Sequence, residues 1–212
     1  RSASMGYTSD PDKKRSTKFD YASRLAAAIG YVVLKSRDSV GLYLYSTRID
    51  VVMGPRNSFS HLNNLLRSVQ KQTPSDTTST APTLHQIADA VRRRALIVIF
   101  SDFFDDVPGI VKALAHFRKQ QHDVILFHVL DPMEIDMTFR KGAEFEDMET
   151  GEVVIADPRS IADEYRKEFE AFLDSVRKPC AEMNIDYRMV NTNVPLETFV
   201  RAYLEERKRF SR

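Results

Sequence analysis

An α/β fold, a mostly parallel central sheet with helices on both faces, is predicted by three features of this sequence. Strand-like and helical segments alternate along the chain, as βαβ units require. The segment VGLYLYS is apolar at nearly every position, as a strand covered on both faces is. ALIVIF, residues 95–100, is the most strand-like segment and ends abruptly in the acidic stretch SDFFDD, a site-bearing loop at a strand's carboxyl end.

The chain opens with RSASMGY, where small hydroxyl residues alternate and read as a loop offering oxygen atoms, and SDPDKKRST continues as a polar loop. Over residues 18–37, Phe19, Ala22, Leu25, Ala26, Ile29, Val32 and Val33 recur at helical spacing and predict an amphipathic helix. VGLYLYS and IDVVMGP are short strands separated by a turn, followed by a helix over 58–69, the polar loop KQTPSDTTSTAP and a helix over 83–93. After ALIVIF come a helix over 108–119 and a strand at DVILFHVL. An excursion over 131–157 follows, a small β-hairpin insertion whose METGEVV reads as the turn. After Pro158 a long helix carries Ile161, Tyr165, Phe169, Phe172 and Val176, and Pro179 is expected to end or kink it. The strand IDYRMV and a helix over 195–210 close the chain.

The 212 residues suit one core and one domain spanning 1–212, with no internal repeat and no long linker. With 31 basic against 30 acidic residues the net charge is +1, so no global field draws the protein to nucleic acid or anionic membrane. The lone cysteine, Cys180, excludes an intramolecular disulfide and a cysteine-based zinc site, and a cytoplasmic setting is expected. No apolar run reaches the length of a membrane span. Neither a Gly-x-x-x-x-Gly-Lys-Ser/Thr loop nor Gly-x-Gly-x-x-Gly occurs, which disfavours nucleotide binding.

In open α/β sheets ligands bind beyond the carboxyl ends of the strands. Three loops compete for that place: RSASMGY, DTTSTAP and SDFFDD. Together they offer the hydroxyls of Ser2, Ser4 and one of the threonines 77, 78 and 80, with the carboxylate of Asp102. Such hard, weakly charged oxygen donors suit octahedral magnesium or manganese and do not suit zinc.

The serine pair, the threonine loop and the strand ending in Ser-Asp resemble the metal-ion-dependent adhesion site of von Willebrand factor A-like domains, whose first loop reads Asp-x-Ser-x-Ser. That resemblance implies a Rossmann-like fold and assigns Ser2, Ser4, Thr78 and Asp102 as ligands of Mg2+ or Mn2+, with Thr77 and Thr80 as alternatives to Thr78. The pattern's aspartate would stand one residue before Arg1, and the core strand leading into it is absent. The chain is therefore expected to lack an N-terminal portion, with metal affinity weakened or lost. More narrowly, SASMGY, LHQIADAVRRRALIVIFSDFFDD, VLDPMEID and IDYRMVNTNVPLETFVRAYLEER together resemble a bacterial family, domain of unknown function fifty-eight. Its members are often associated with MoxR-type AAA+ ATPases. The resemblance implies a metal-ion-dependent protein-interaction module without catalytic activity. It would be partner or adaptor of such an ATPase in protein assembly or activation, binding a protein that supplies an acidic side chain. The alternative is a magnesium-dependent phosphoryl-transfer or hydrolytic enzyme, for which the loops are rich in hydroxyls and poor in acids.

Other features have plainer expectations. Asp105 or Asp106 is expected to cap the helix after SDFFDD, which frees Asp102. The arginines at 92–94 fit a helix's last turn better than a phosphate patch. His128 is expected to be a hydrogen-bonded core residue, Cys180 a packing residue and Glu134 a solvated loop acid that could otherwise reach the rim. Tyr7 either shapes the partner surface or covers the sheet.

Overall fold

The computed structural model describes residues 2–10, 16–74, 79–136, 143–146, 153–156 and 158–210. After a short 3-10 turn at Ala3–Gly6, the elements run α1 (Lys18–Lys35), β1 (Val40–Tyr45), β2 (Ile49–Arg56), α2 (Phe59–Gln70), α3 (Thr80–Ala90), β3 (Leu96–Ser101) and α4 (Val107–Lys119). They continue with β4 (Asp123–Leu130), α5 (Pro132–Asp136), β5 (Ala143–Glu146), β6 (Val153–Ala156), α6 (Pro158–Glu182), β7 (Asp186–Asn191) and α7 (Leu196–Phe210).

The parallel sheet has the order β3-β4-β7, with β4 in the middle. Ile99 lies opposite Leu126, and Leu126 opposite Tyr187. Each parallel connection needs a crossover, supplied by α4 between β3 and β4 and by α6 before β7. Every residue of β4 from Val124 to Leu130 is buried, because the strand has partners on both edges and helices on both faces. Its side chains alternate between two cores. Val124 and Leu126 pack with Leu84 and Ile87 of α3, Ile110, Leu114 and Phe117 of α4, and Val176 and Cys180 of α6. Ile125, Phe127 and Val129 pack on the other face with Tyr21 and Leu25 of α1, Val190 and Tyr203. The expected helix–sheet–helix layering is therefore present.

The sheet differs from the expected one in extent. β1 and β2 pair antiparallel with each other as a separate two-stranded sheet, and among the described residues neither pairs with β3. The short link between them, closed by Ser46 N–H donating to the Arg48 carbonyl at 3.0 Å, is far too short for a parallel crossover. β1 is half-buried over most of its length rather than covered on both faces. The hairpin within 131–157 exists as antiparallel β5–β6, with Ala143 opposite Ala156; most of its METGEVV turn lies outside the described residues.

Two helix ends depart from expectation. α3 stops at Ala90, so Arg92, Arg93 and Arg94 lie in the connection to β3 and not in a last helical turn; Arg94 bonds Asp123 at 3.2 Å. α6 runs through Pro179 to Glu182, so of the two expected effects the proline does not end the helix there. The proline falls in the final turn, where one missing hydrogen bond is outweighed by burial of Val176 and Cys180 on the same face. Cys180 is a packing residue, as expected, and burial pushes its thiol up to about 12. A thiol so held stays protonated, so Ellman's reagent should label the native protein negligibly and modify one thiol per chain only after denaturation.

Candidate functional site

The carboxyl ends of β3 and β4 are joined by one buried cation. Thr17 caps α1, its hydroxyl accepting from Asp20 N–H at 3.1 Å, so Lys18 is the first residue of that helix. Its backbone N–H donates to the Tyr7 carbonyl at 3.1 Å, tying the helix to the segment just after the serine turn. The Lys18 side chain is 0% exposed. Its ammonium bonds Asp102 Oδ2 at 2.8 Å and Glu134 Oε1 at 2.6 Å. Phe104 closes the outer side, its ring centroid 5.1 Å from Lys18 Nζ. Burial pushes the Lys18 pKa down, but the two carboxylates outweigh it and the pKa is raised, so the ammonium is charged. Glu134 is raised, first by burial, with Lys18 partly offsetting it.

Each acid is placed by local chain geometry. Asp102 follows β3, and the next residue, Phe103, has φ 55°, a left-handed conformation that a buried aromatic residue adopts only under strong constraint. Its N–H donates to Ser101 Oγ at 3.1 Å, and its side chain is buried in the core beneath α3 and α4. The turn directs Asp102 inward to Lys18 and leaves Phe104 partly exposed, stacked on Phe172 with centroids 5.0 Å apart. Glu134 is set by a capping box at α5. Asp131 Oδ1 accepts from Met133 N–H at 2.9 Å, and Glu134 Oε2 accepts from Asp131 N–H at 2.7 Å. Pro132, at the first helical position, needs no N–H partner. Asp131 Oδ2 also accepts from Ser9 N–H at 3.0 Å, which ties the N-terminal segment to the same rim. Glu134 is thus no solvated loop acid; it reaches the rim.

His128 supports the loop from below. Nε2 lies 2.8 Å from the Asp102 carbonyl, which can only accept, so this nitrogen carries the proton; Nδ1 takes the Tyr187 hydroxyl at 2.9 Å. Burial pushes its pKa down to about 4 from 6.5. The unfolded imidazole takes a proton below about 6.5, whereas the folded ring refuses one until about 4. Stability is therefore intact above the upper value and falls by about 3 kcal/mol across that window. Urea unfolding at a series of pH values should show this slope, flattened in His128→Gln.

The structure brings the predicted residues together unevenly. Ser2 is buried, Ser4 is half-buried, and Ser4 Oγ donates to Ser2 Oγ at 2.8 Å. They share no hydrogen bond with Asp102; Tyr7 and Lys18 link the two groups. Thr77 and Thr78 lie outside the described residues. Thr80 begins α3, buried, with its N–H donating to Asp105 Oδ2 at 2.8 Å. Asp105 thus caps α3 across the rim, while Asp106 occupies the N-cap position of α4 without a side-chain bond; Asp102 caps neither. Tyr7 is half-buried beside the acids, its phenol pushed up to about 12 by burial and then by Asp131 and Glu134.

The two serine hydroxyls are held together by a hydrogen bond, and their spacing is compatible with that of neighbouring ligands on a hard cation. Neighbouring ligands of an octahedral magnesium ion lie about 3 Å apart when each oxygen is about 2.1 Å from the metal, and the serine oxygens are 2.8 Å apart. Among the described residues no group of three or more His, Cys, Asp or Glu side chains could hold a metal, so the donors would be mainly neutral hydroxyls with Asp102 as the acid. Sequence reasoning missed Lys18 entirely. It could have placed Glu134, since Asp-Pro-Met-Glu carries the capping-box spacing.

No curated protein matches the chain. Solved structures that resemble it include that of an aerotolerance-related membrane protein from Bacteroides fragilis NCTC 9343 with multiple mutations to serines, and that of the conserved hypothetical protein BatB from Bacteroides thetaiotaomicron. The first is 16% identical, with a TM-score of 0.50 over 84% of this chain and 94% of that one. The second is 13% identical, with a TM-score of 0.47 over 86% and 94%. At such identity the first likeness concerns the fold alone. Among the described residues, no helix is long and apolar enough to cross a membrane. The profile of the family described as "Protein of unknown function DUF58" matches residues 1–178, which stops short of the closing IDYRMV segment but spans both carboxylates and the serine pair, and the chain belongs to that family.

Proposed function

We propose that this chain is a protein-interaction module of the von Willebrand factor A-like, Rossmann-like type, working in the cytoplasm as partner or adaptor of a MoxR-type AAA+ ATPase. Its docking rim lies at the carboxyl ends of β3 and β4. Ser2, Ser4, Thr78 and Asp102 would hold Mg2+ or Mn2+, which when bound supplies a positive pole with an exchangeable position for a partner's carboxylate. The observation that carries the reading is the 2.8 Å separation of the two serine oxygens, a hydrogen-bonded spacing that is also compatible with adjacent ligands of a hard octahedral ion. The chain's own contribution is placement. Met5, buried against Tyr21 and Leu25, anchors the serine turn, and the bond from Lys18 N–H to the Tyr7 carbonyl fixes its exit.

Titrating Mg2+ and Mn2+ into wild type, Ser4→Ala and Asp102→Ala tests it. Metal should raise the melting temperature of wild type and promote binding of an acidic peptide surface, and both effects should vanish in the two variants. Phosphatase and nuclease assays should stay blank. Metal-dependent turnover abolished by the same substitutions would replace this reading with that of a hydrolytic or phosphoryl-transfer enzyme.

A further inference from the structure

We propose that the Lys18 ammonium is a tethered counter-ion of the rim, which competes with a divalent cation for Asp102. This inference rests on the reading of the rim as a hard-cation site and says how that site is regulated.

A buried lysine with two carboxylates is an unusual thing to place at the first residue of a helix. An ammonium has three donors; two of Lys18's go to Asp102 and Glu134, and the Phe104 ring covers the group from outside. The ammonium is thus held by side chains from two segments, the turn after β3 and α5, and touches no solvent. Those contacts assign it the place that a metal would otherwise take in holding Asp102 against a neighbouring acid. A dication sharing this carboxylate would meet a like charge in a poorly screened setting, where repulsion is many times stronger than in water. Charge on Lys18 therefore weakens metal binding, and metal binding loosens Lys18. The covering residue, Phe104, is 41% exposed and lies on the turn containing left-handed Phe103, so the cover is a surface side chain and not part of the core. A partner pressing on Phe104 and Phe172 would act on the lysine directly beneath.

The test is Mn2+ binding by electron paramagnetic resonance and calorimetry. Lys18→Met alone strands two buried carboxylates, so the main variant is Lys18→Met/Glu134→Gln, which keeps only Asp102 charged; circular dichroism checks its fold. It should bind Mn2+ at least about tenfold tighter than Glu134→Gln, from which it differs by the loss of one nearby like charge. Adding Asp102→Ala should abolish the gain, and Lys18→Arg, which keeps the charge, should match wild type. Equal affinity in Glu134→Gln and the double variant would overturn the competition while leaving the metal-dependent reading standing. Binding by the double variant alone would support the competition and refute metal dependence of wild type. Binding by neither would refute both, and a gain that survives Asp102→Ala would refute the competition.

Discussion

Lys18→Met is expected to destabilise the native state by about 3–5 kcal/mol, the range for breaking a buried ion pair by removing one partner. The reason is what remains. Asp102 is 3% exposed, and Glu134 keeps one oxygen on the Asp131 backbone while the other loses its cation. Two carboxylates left close together in a poorly screened site must either repel or take up a proton. Removing the acids as well should reverse most of the loss, because a buried charge cluster replaced by neutral groups is often neutral in stability. The triple variant Lys18→Met/Asp102→Asn/Glu134→Gln is therefore expected to be more stable than Lys18→Met alone. Urea unfolding of the four proteins, wild type, Lys18→Met, Lys18→Met/Glu134→Gln and the triple variant, measures this. A loss below about 1 kcal/mol for Lys18→Met would match a surface pair and contradict the buried bridge.

Phe127→Ala should cost about 3–5 kcal/mol for a different reason, loss of contacts in a rigid setting. Phe127 is 0% exposed in the middle of β4. Its ring stacks on Phe100 at 5.2 Å and meets Phe199 and Tyr203 edge-on at 5.9 and 5.2 Å. Those partners come from β3 and α7, so truncation opens a cavity shared by three elements that cannot collapse together. Met189, on neighbouring β7 but 44% exposed, is the control. Met189→Ala should change stability by less than about 0.5 kcal/mol. Similar losses at the two positions would mean that β4 is not the buried centre of the sheet.

The sequence made some of this fold legible because local physics decided it. Ala22 and Leu25 recur with the period of a helix and are buried where that period places them in α1, with Phe19 and Ile29 partly buried against the same cluster. Ser58 caps α2 through its hydroxyl, with His61 N–H donating at 3.1 Å, and the expected start of that helix is met. The parallel pairing of β3 with β4 followed from the helix between them. The separate β1–β2 sheet was equally written in its short turn, although apolarity in VGLYLYS argued for deeper burial. What stayed hidden was long-range. Lys18 follows the basic run KKRST, and nothing local distinguishes it from a solvated lysine. Its burial is set by partners 84 and 116 residues away in sequence. Asp102 was picked out by its place at a strand's end, but its bond to an internal cation could not be read there. For Arg92 to Arg94, helical charge preference suggested a last turn, whereas α3 ends before them.

The convergence of distant loops on one cation is tested most directly by magnesium titration of the 15N-labelled protein, followed by backbone amide shifts. The account predicts saturable changes confined to Ser2, Ser4, Thr78, Asp102 and the start of α1 around Lys18, absent in Asp102→Ala. Shifts that leave these amides untouched while moving others, or no saturable shift at millimolar magnesium, would contradict it.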